Sequence, residues 1–215
     1  EHLVRRLQSV DSIDEIVLAT TSNDADIPLI KLAKSLNILY FCGSEEDVMQ
    51  RVIEAASFAN ADIVVEITGD CPIIDPNIVE QTIQMFKVHN ADYVSNTIIK
   101  SYPDGMDTQV FRLDTLKRSA AMTNNRLDHE HVTLHIRNHP KIFSHIHLVA
   151  PPEIYWPNLG LTLDELNDYK LIKKLIDHFE SQNNPMFSCN DVISLLRQNP
   201  EYVEINKSVI RKRNT

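Results

Sequence analysis

Four short apolar runs mark the first half of the chain: EIVLATT (15–21), NILYFCG (37–43), DIVVEITG (62–69) and ADYVSNT (91–97). Segments of helical period separate them. DADIPLIKLAKSL sets Ile27, Ile30, Leu32 and Ala33 near one face, and EEDVMQRVIEAASFA does the same with Val48, Val52, Ala55 and Ala56. Strand, helix, strand in repetition predicts an α/β fold of three layers, a mostly parallel sheet with helices on both faces. The run at 63–67 reads as a strand buried on both faces, and it stops at Gly69-Asp70. Ligands of such sheets bind beyond the carboxyl ends of the strands, so Asp70 stands where a site is expected.

The opening EHLVRRLQSV reads as an amphipathic helix with Leu3, Val4 and Leu7 inward and Arg5 and Arg6 outward. In a strand–helix series that helix follows a strand, so an earlier strand and its loop are expected before residue 1. Such a loop is where phosphate is cradled. The second half is less regular. A Pro103-Asp104-Gly105 turn leads to a strand at Gln109 to Phe111 and a helix capped by Asp114. RLDHEHVTLHIRNHP reads as one helix ending before Pro140, and KIFSHIHLVA as a strand at a sheet edge. TLDELNDYKLIKKLIDHFE is an amphipathic helix, with Thr162 as N-cap and Glu165 completing a capping box.

Composition narrows the class. At 215 residues and 43% hydrophobic content the chain suits a single domain, 1–215, around one sizeable core. The net charge of −9 argues against a nucleic-acid partner, so any phosphate is met locally. Cys42, Cys71 and Cys189 form no C-x-x-C pair, which fits a reducing cytoplasm. No run reaches the roughly 18 apolar residues of a membrane span. The basic RKRNT (211–215) reads as a solvated tail.

Each chemical candidate has an ordinary alternative. Asp70 can make a turn with Pro72, or it can hold Mg²⁺ together with Asp164, because that ion takes few protein carboxylates and leaves positions for substrate phosphates. Asp164 can equally serve first-turn helix electrostatics. Thr20 and Thr21 can bond a ligand or cap the next helix, and Arg51 can face solvent or reach a nucleotide. His131, His135 and His139 share i, i+4, i+8 spacing without an H-E-x-x-H motif, which favours ordinary histidines over zinc. Cys71 has no base placed to activate it and reads as a small buried residue.

Six collinear stretches carry a resemblance: GSEEDVMQRVIEAA (43–56), ITGDCPIIDP (67–76), DYVSN (92–96), YPDGMDTQVF (102–111), EHVT (130–133) and TLDELNDYKLI (162–172). Together they resemble the spore-coat-polysaccharide-biosynthesis branch of the cytidylyltransferases, relatives of the enzymes that make CMP-activated sialic acids and Kdo. The resemblance implies a Rossmann-like nucleotide-diphospho-sugar-transferase fold and a homodimer. It also implies transfer of CMP from CTP to a sugar or sugar acid, with release of pyrophosphate, for a cell-surface polysaccharide. By it Asp70 and Asp164 are the catalytic pair and the Mg²⁺ ligands. Thr20, Thr21, Arg51 and Gly69 lie toward the nucleotide. Tyr102, Asp104, Gly105, Asp107, Glu130 and His131 lie toward the acceptor, in a subregion around 100–150 that also supplies the dimer interface. The family's triphosphate-gripping loop falls before residue 1. This chain departs from the pattern at Glu66, Leu134 and Gly160–Leu161, where members often carry Arg, Pro and Arg. Two other readings stay open, a non-catalytic dimeric binding subunit and a glycosyltransferase using a nucleotide-sugar donor.

Overall fold

The computed structural model describes residues 1–210; the basic stretch at 211–215 lies outside them. Strands β1 (Val17–Thr21) and β2 (Leu39–Gly43) pair in parallel, with Val17 opposite Leu39. A second sheet has the order β3 (Ile63–Glu66), β5 (Gln109–Arg112), β4 (Tyr93–Ser95), β6 (His145–His147). Within it β4 and β6 are parallel, and β5 runs antiparallel to both of its neighbours. The α/β architecture is the expected one. Its antiparallel member arises because residues 96–108 turn the chain back, a return pinned by the Asn96 side chain. Asn96 Nδ2 donates to the Met106 carbonyl at 2.7 Å, and its Oδ1 accepts from the Thr108 amide at 2.8 Å.

Alternation along the strands divides the core between the two faces of this sheet. Val94 and Val110 join a larger cluster with Ile73, Ile83 and Leu171, whereas Tyr93 and Phe111 join a smaller one with Met49, Leu116 and Phe143. Helix α4 (Pro76–Val88) covers the first face. Helices α3 (Val48–Phe58) and α5 (Leu113–Ala120) contribute Met49 and Leu116 to the second cluster. Fully burying a side chain such as Phe111 stabilises by about 1.5–3 kcal/mol. Strand β3 is half-buried, not enclosed on both faces as its apolar run suggests. The reason is positional: β3 is an edge strand, paired with β5 on one side only. No helix among the described residues is long and apolar enough to cross a membrane.

Helix α1 (His2–Leu7) corrects the outward placement of Arg6, which is 3% exposed. Its Nε donates to the Ile74 carbonyl at 2.6 Å, Nη1 to Pro185 at 3.0 Å and Nη2 to Phe187, whose ring centroid lies 4.5 Å from the guanidinium carbon. Helix α2 (Ile27–Ser35) buries only Ala33 of the face read from its period. Asp114 caps nothing: α5 starts directly from β5, and the Leu113 amide is satisfied by the Asp62 carbonyl at 2.9 Å. The stretch read as one helix is two, α6 (Arg126–Glu130) and α7 (Leu134–Asn138), broken where Val132 adopts φ 46°. His131, His135 and His139 therefore share no continuous helix face. Among the described residues no cluster of three or more His, Cys, Asp or Glu is arranged for a metal.

His129 of α6 is held between two acceptors, Asp47 Oδ2 at 2.8 Å from Nδ1 and the Thr123 carbonyl at 3.2 Å from Nε2. Filling both requires both N–H groups, hence the imidazolium, and its pKa is raised first by the Asp47 hydrogen bond and then by the Thr123 carbonyl. Asp47 also caps α3 by accepting from the Gln50 amide at 2.8 Å. A raised folded pKa contributes stability that is complete below the unfolded value near 6.5 and is lost as pH rises through the folded value. His129→Gln should therefore lower Tm relative to the parent at pH 6 and converge with it by pH 9. The gap should be modest, about 0.2–1 kcal/mol, because the pair is partly exposed. A gap that widens with pH would contradict the charged assignment.

Candidate active site

Three loops meet at the carboxyl edge of β3 and β4. The Leu163 amide donates to the Asp70 carbonyl at 2.8 Å, which sets Asp164 one residue from the contact. Asp104 bridges Gly160 in parallel, its amide donating to Leu159 at 2.9 Å and its carbonyl accepting from Leu161 at 2.7 Å. Gly105 makes this closure possible: at φ +100° a Cβ would sit 2.7 Å from the Leu161 carbonyl carbon. The loops that carry Asp70, Asp104 and Asp164 are thus joined through their backbones, and Asp107 lies two residues past Gly105.

Local chemistry orients the carboxylates. Asp70 Oδ1 accepts from Thr68 Oγ1, with Cys71 Sγ at 3.6 Å. Asp164 Oδ2 accepts from Thr162 Oγ1 at 2.8 Å, so Thr162 serves the carboxylate and is not the N-cap expected. Helix α8 (Leu166–Ser181) is capped by Glu165, and the capping box is completed by Asp168. Asp168, fully buried, accepts the Glu165 and Asp164 amides at 3.0 and 3.3 Å on Oδ2 and the Asn206 side-chain amide at 2.8 Å on Oδ1. Asn206 also donates to the Gly160 carbonyl at 3.0 Å. Asp168 and Asn206 hold the Asp164 loop in place, and neither was singled out from the sequence.

The edge is strongly acidic. Burial pushes the Asp107 carboxyl up to about 7, reinforced by the charges of Asp104 and Asp70 and opposed by Arg137 and Lys100. Cys71 is buried, and its thiol is pushed well up, first by that burial and then by Asp70, which keeps it protonated and inert. Asp70 and Asp164, two carboxylates with hard oxygens on loops joined by the Leu163–Asp70 backbone bond, have the donor chemistry that suits Mg²⁺.

Of the nucleotide-side residues, Thr20 and Thr21 lie at the end of β1 and share one acceptor. Asp26 Oδ2 receives Thr20 Oγ1 at 2.8 Å, Thr21 Oγ1 at 2.7 Å and the Thr21 amide at 3.1 Å, and these bonds hold its carboxyl below the usual range. Arg51 folds across Gly43 at the end of β2, donates to the Ser44 carbonyl and acts electrostatically on Asp26. Gly69 is exposed, and a Cβ there would meet nothing within 4 Å, so the space beside Asp70 is open. Of the acceptor-side residues, Tyr102 packs into the larger core, and burial raises its phenol. Glu130 and His131 close α6, the first exposed and the second half-buried, just before Thr133.

A mixed α/β sheet with acidic loops gathered at its carboxyl edge is an architecture suited to binding a nucleotide there. The chain belongs to the cytidylyltransferase family, whose model matches residues 1–207; it is an enzyme that uses CTP in nucleotidyl transfer. An uncharacterized protein of Methanocaldococcus jannaschii is 32% identical over 212 residues, 99% of this chain and 85% of that one. The spore coat polysaccharide biosynthesis protein SpsF of Bacillus subtilis is 31% identical over 191 residues, 87% of this chain and 77% of that one. The structure of a cytidylyltransferase from Leptospira borgpetersenii serovar Hardjo-bovis matches with a TM-score of 0.89 at 25% identity, covering 99% of this chain and 87% of that one. CMP:2-keto-3-deoxy-manno-octonic acid synthetase complexed with CTP shares the fold, with a TM-score of 0.56 at 14% identity over 84% of this chain and 87% of that one.

Proposed function

We propose that this protein transfers CMP from CTP to a sugar acid in the cytoplasm, releasing pyrophosphate, and that its product feeds a cell-surface polysaccharide. The observation that carries the reading is the hydrogen bond from Leu163 to the Asp70 carbonyl, which ties the two acidic loops to each other. Mg²⁺ held by Asp70 and Asp164 would neutralise phosphate charge that an acidic protein otherwise repels. An acceptor hydroxyl loses its proton to solvent as its oxygen attacks the α-phosphorus in line, the bond to the bridging oxygen breaks, and pyrophosphate leaves with that electron pair. Thr20, Thr21, Arg51 and Gly69 border the nucleotide, while Asp104, Asp107, Glu130 and His131 face the acceptor. Tyr102 and Gly105 shape the loop that presents them. The naming of one relative for spore coat polysaccharide biosynthesis and of another for CMP transfer to a keto-deoxy sugar acid supports this reading.

The test is incubation of the full chain with CTP, Mg²⁺ and a panel of sugar acids and neutral sugars, read by mass spectrometry and by pyrophosphate release. A CMP-sugar formed with stoichiometric pyrophosphate is the expected outcome. Ligand binding without pyrophosphate would indicate a binding subunit, and nucleoside diphosphate released from a nucleotide sugar would indicate a glycosyltransferase. We also propose a homodimer joined through residues 102–149. There Met122, Leu127, Ile142 and Val149 are 47, 52, 45 and 53% exposed, apolar side chains that a two-fold contact would cover. Light scattering should return twice the 24.6 kDa chain mass, and a monomer at micromolar concentration would exclude it.

A further inference from the structure

Cross-strand register lines up four polar residues at the end of the second sheet that carries Asp70: Glu66 opposite Gln109, Gln109 opposite Ser95, and Ser95 beside His147. Residues in one register row project to the same face. That face is where Tyr93 and Phe111 build the smaller core, so the row forms a polar layer over it. Gln109 organises the layer. Its Nε2 donates to Glu66 Oε2 at 2.7 Å, and its Oε1 accepts from the Tyr93 hydroxyl at 2.5 Å and from Thr133 Oγ1 at 2.7 Å.

Thr133 precedes α7, and Arg137 follows it by one helical turn on the same side. The Arg137 charge acts on Glu66, Asp107 and Tyr93, so the guanidinium faces the layer. A purely structural layer would close Arg137 onto one of those carboxylates. Instead Glu66 accepts from Gln109, and Arg137 Nε is buried with no hydrogen-bond partner. Nδ1 of His147, in the same row, is likewise buried and unmatched. Buried polar atoms without partners mark positions where a ligand or water completes the bonding. The layer also adjoins the catalytic edge, because the Asp70 charge reaches Asp107.

We propose that Arg137, flanked by Glu66 and Asp107, is the acceptor subsite, and that it takes a polyhydroxylated acid whose carboxylate pairs with Arg137 while its hydroxyls bond Glu66 and Asp107. This deepens the proposed function and rests on it for the role of the second substrate. Burial pushes Glu66 up to about 7, so near neutrality it carries reduced negative charge and can donate as well as accept. An acid ligand is repelled less there than by a fully ionised carboxylate, and the planar guanidinium fork suits a carboxylate.

The test measures binding of 2-keto-3-deoxy-manno-octonic acid and N-acetylneuraminic acid, each as free acid and as methyl ester. Calorimetry is run on the full chain with Mg²⁺ and the non-hydrolysable analogue α,β-methylene-CTP. At least one acid should bind, and its ester should bind roughly 10- to 100-fold more weakly, the range expected for losing a charge-assisted hydrogen bond. Arg137→Met should remove the preference for acid over ester, and Arg137→Lys should restore part of it. The preference is a ratio within each variant, so a modest loss of folded protein does not obscure it. Wild-type protein that binds no acid better than its ester, or an Arg137→Met variant that keeps the preference, would overturn the subsite. Pyrophosphate release from CTP separates the two ideas. Arg137-dependent acid binding without release keeps the subsite and sinks nucleotidyl transfer, whereas release with neutral sugars alone sinks the subsite and keeps transfer.

Discussion

Asp70→Asn should lower pyrophosphate release from CTP by roughly 100-fold or more, because several kcal/mol of charge stabilisation at the phosphates goes with the lost negative ligand. The substitution isolates charge from shape. An asparagine oxygen still accepts from Thr68 Oγ1, and the backbone bond from Leu163 does not involve the side chain. Asp164→Asn should behave alike, its oxygen still accepting from Thr162. If the two carboxylates hold one ion, the double variant should be little worse than the more damaged single one, since residues acting as a unit are non-additive. Single variants retaining activity within about threefold of the parent, or losses that multiply, would count against a shared ion.

Arg6→Ala should destabilise the fold by about 3–5 kcal/mol, a large share of a domain's total. The guanidinium donates to the carbonyls of Ile74, Pro185 and Phe187, and it is attracted by Asp75, while burial lowers its pKa from the ordinary arginine value. Truncation strands three carbonyls and opens space against the Phe187 ring. Arg6→Lys should recover only part of the loss, because an ammonium point charge cannot reproduce the planar fork. Urea unfolding followed by circular dichroism reads both variants, and a loss below about 1 kcal/mol for alanine would show that water replaces the arginine without penalty.

Much of the fold was legible because strands and helices impose different spacings on apolar residues. The alternation that sends Tyr93 and Val94 to opposite cores is written in neighbouring letters. What stayed hidden was decided by residues far apart in the chain. Arg6 looked like an outward charge within its own helix, and only the carbonyls 68, 179 and 181 residues away make it a buried one. The start of α8 reads as a box from Thr162 to Glu165, whereas the box that forms runs from Glu165 to Asp168, and Asp168 is also held by Asn206, a contact spanning 38 residues. The break at Val132 puts a β-branched residue at positive φ, against its own preference, where Thr133 bonds Gln109 across 24 residues. Strand direction is likewise absent from local pattern: β5 reads the same whether it enters parallel or antiparallel. The acidic positions Asp70 and Asp164 were legible as motifs, but their meeting required the Leu163 amide.

The tether from Asn206 to Asp168 and to the Gly160 carbonyl, spanning 38 and 46 residues, also sets an order in time. A chain emerging from the ribosome presents β3 and Asp70 early and Asp164 much later, and the residue that fixes the Asp164 loop emerges later still. The strands can pair while the loop lacks its anchor, because every paired strand ends by His147, well before Asn206. The acidic edge is therefore fixed only once Asn206 has been made, after Asp70 and Asp164 themselves.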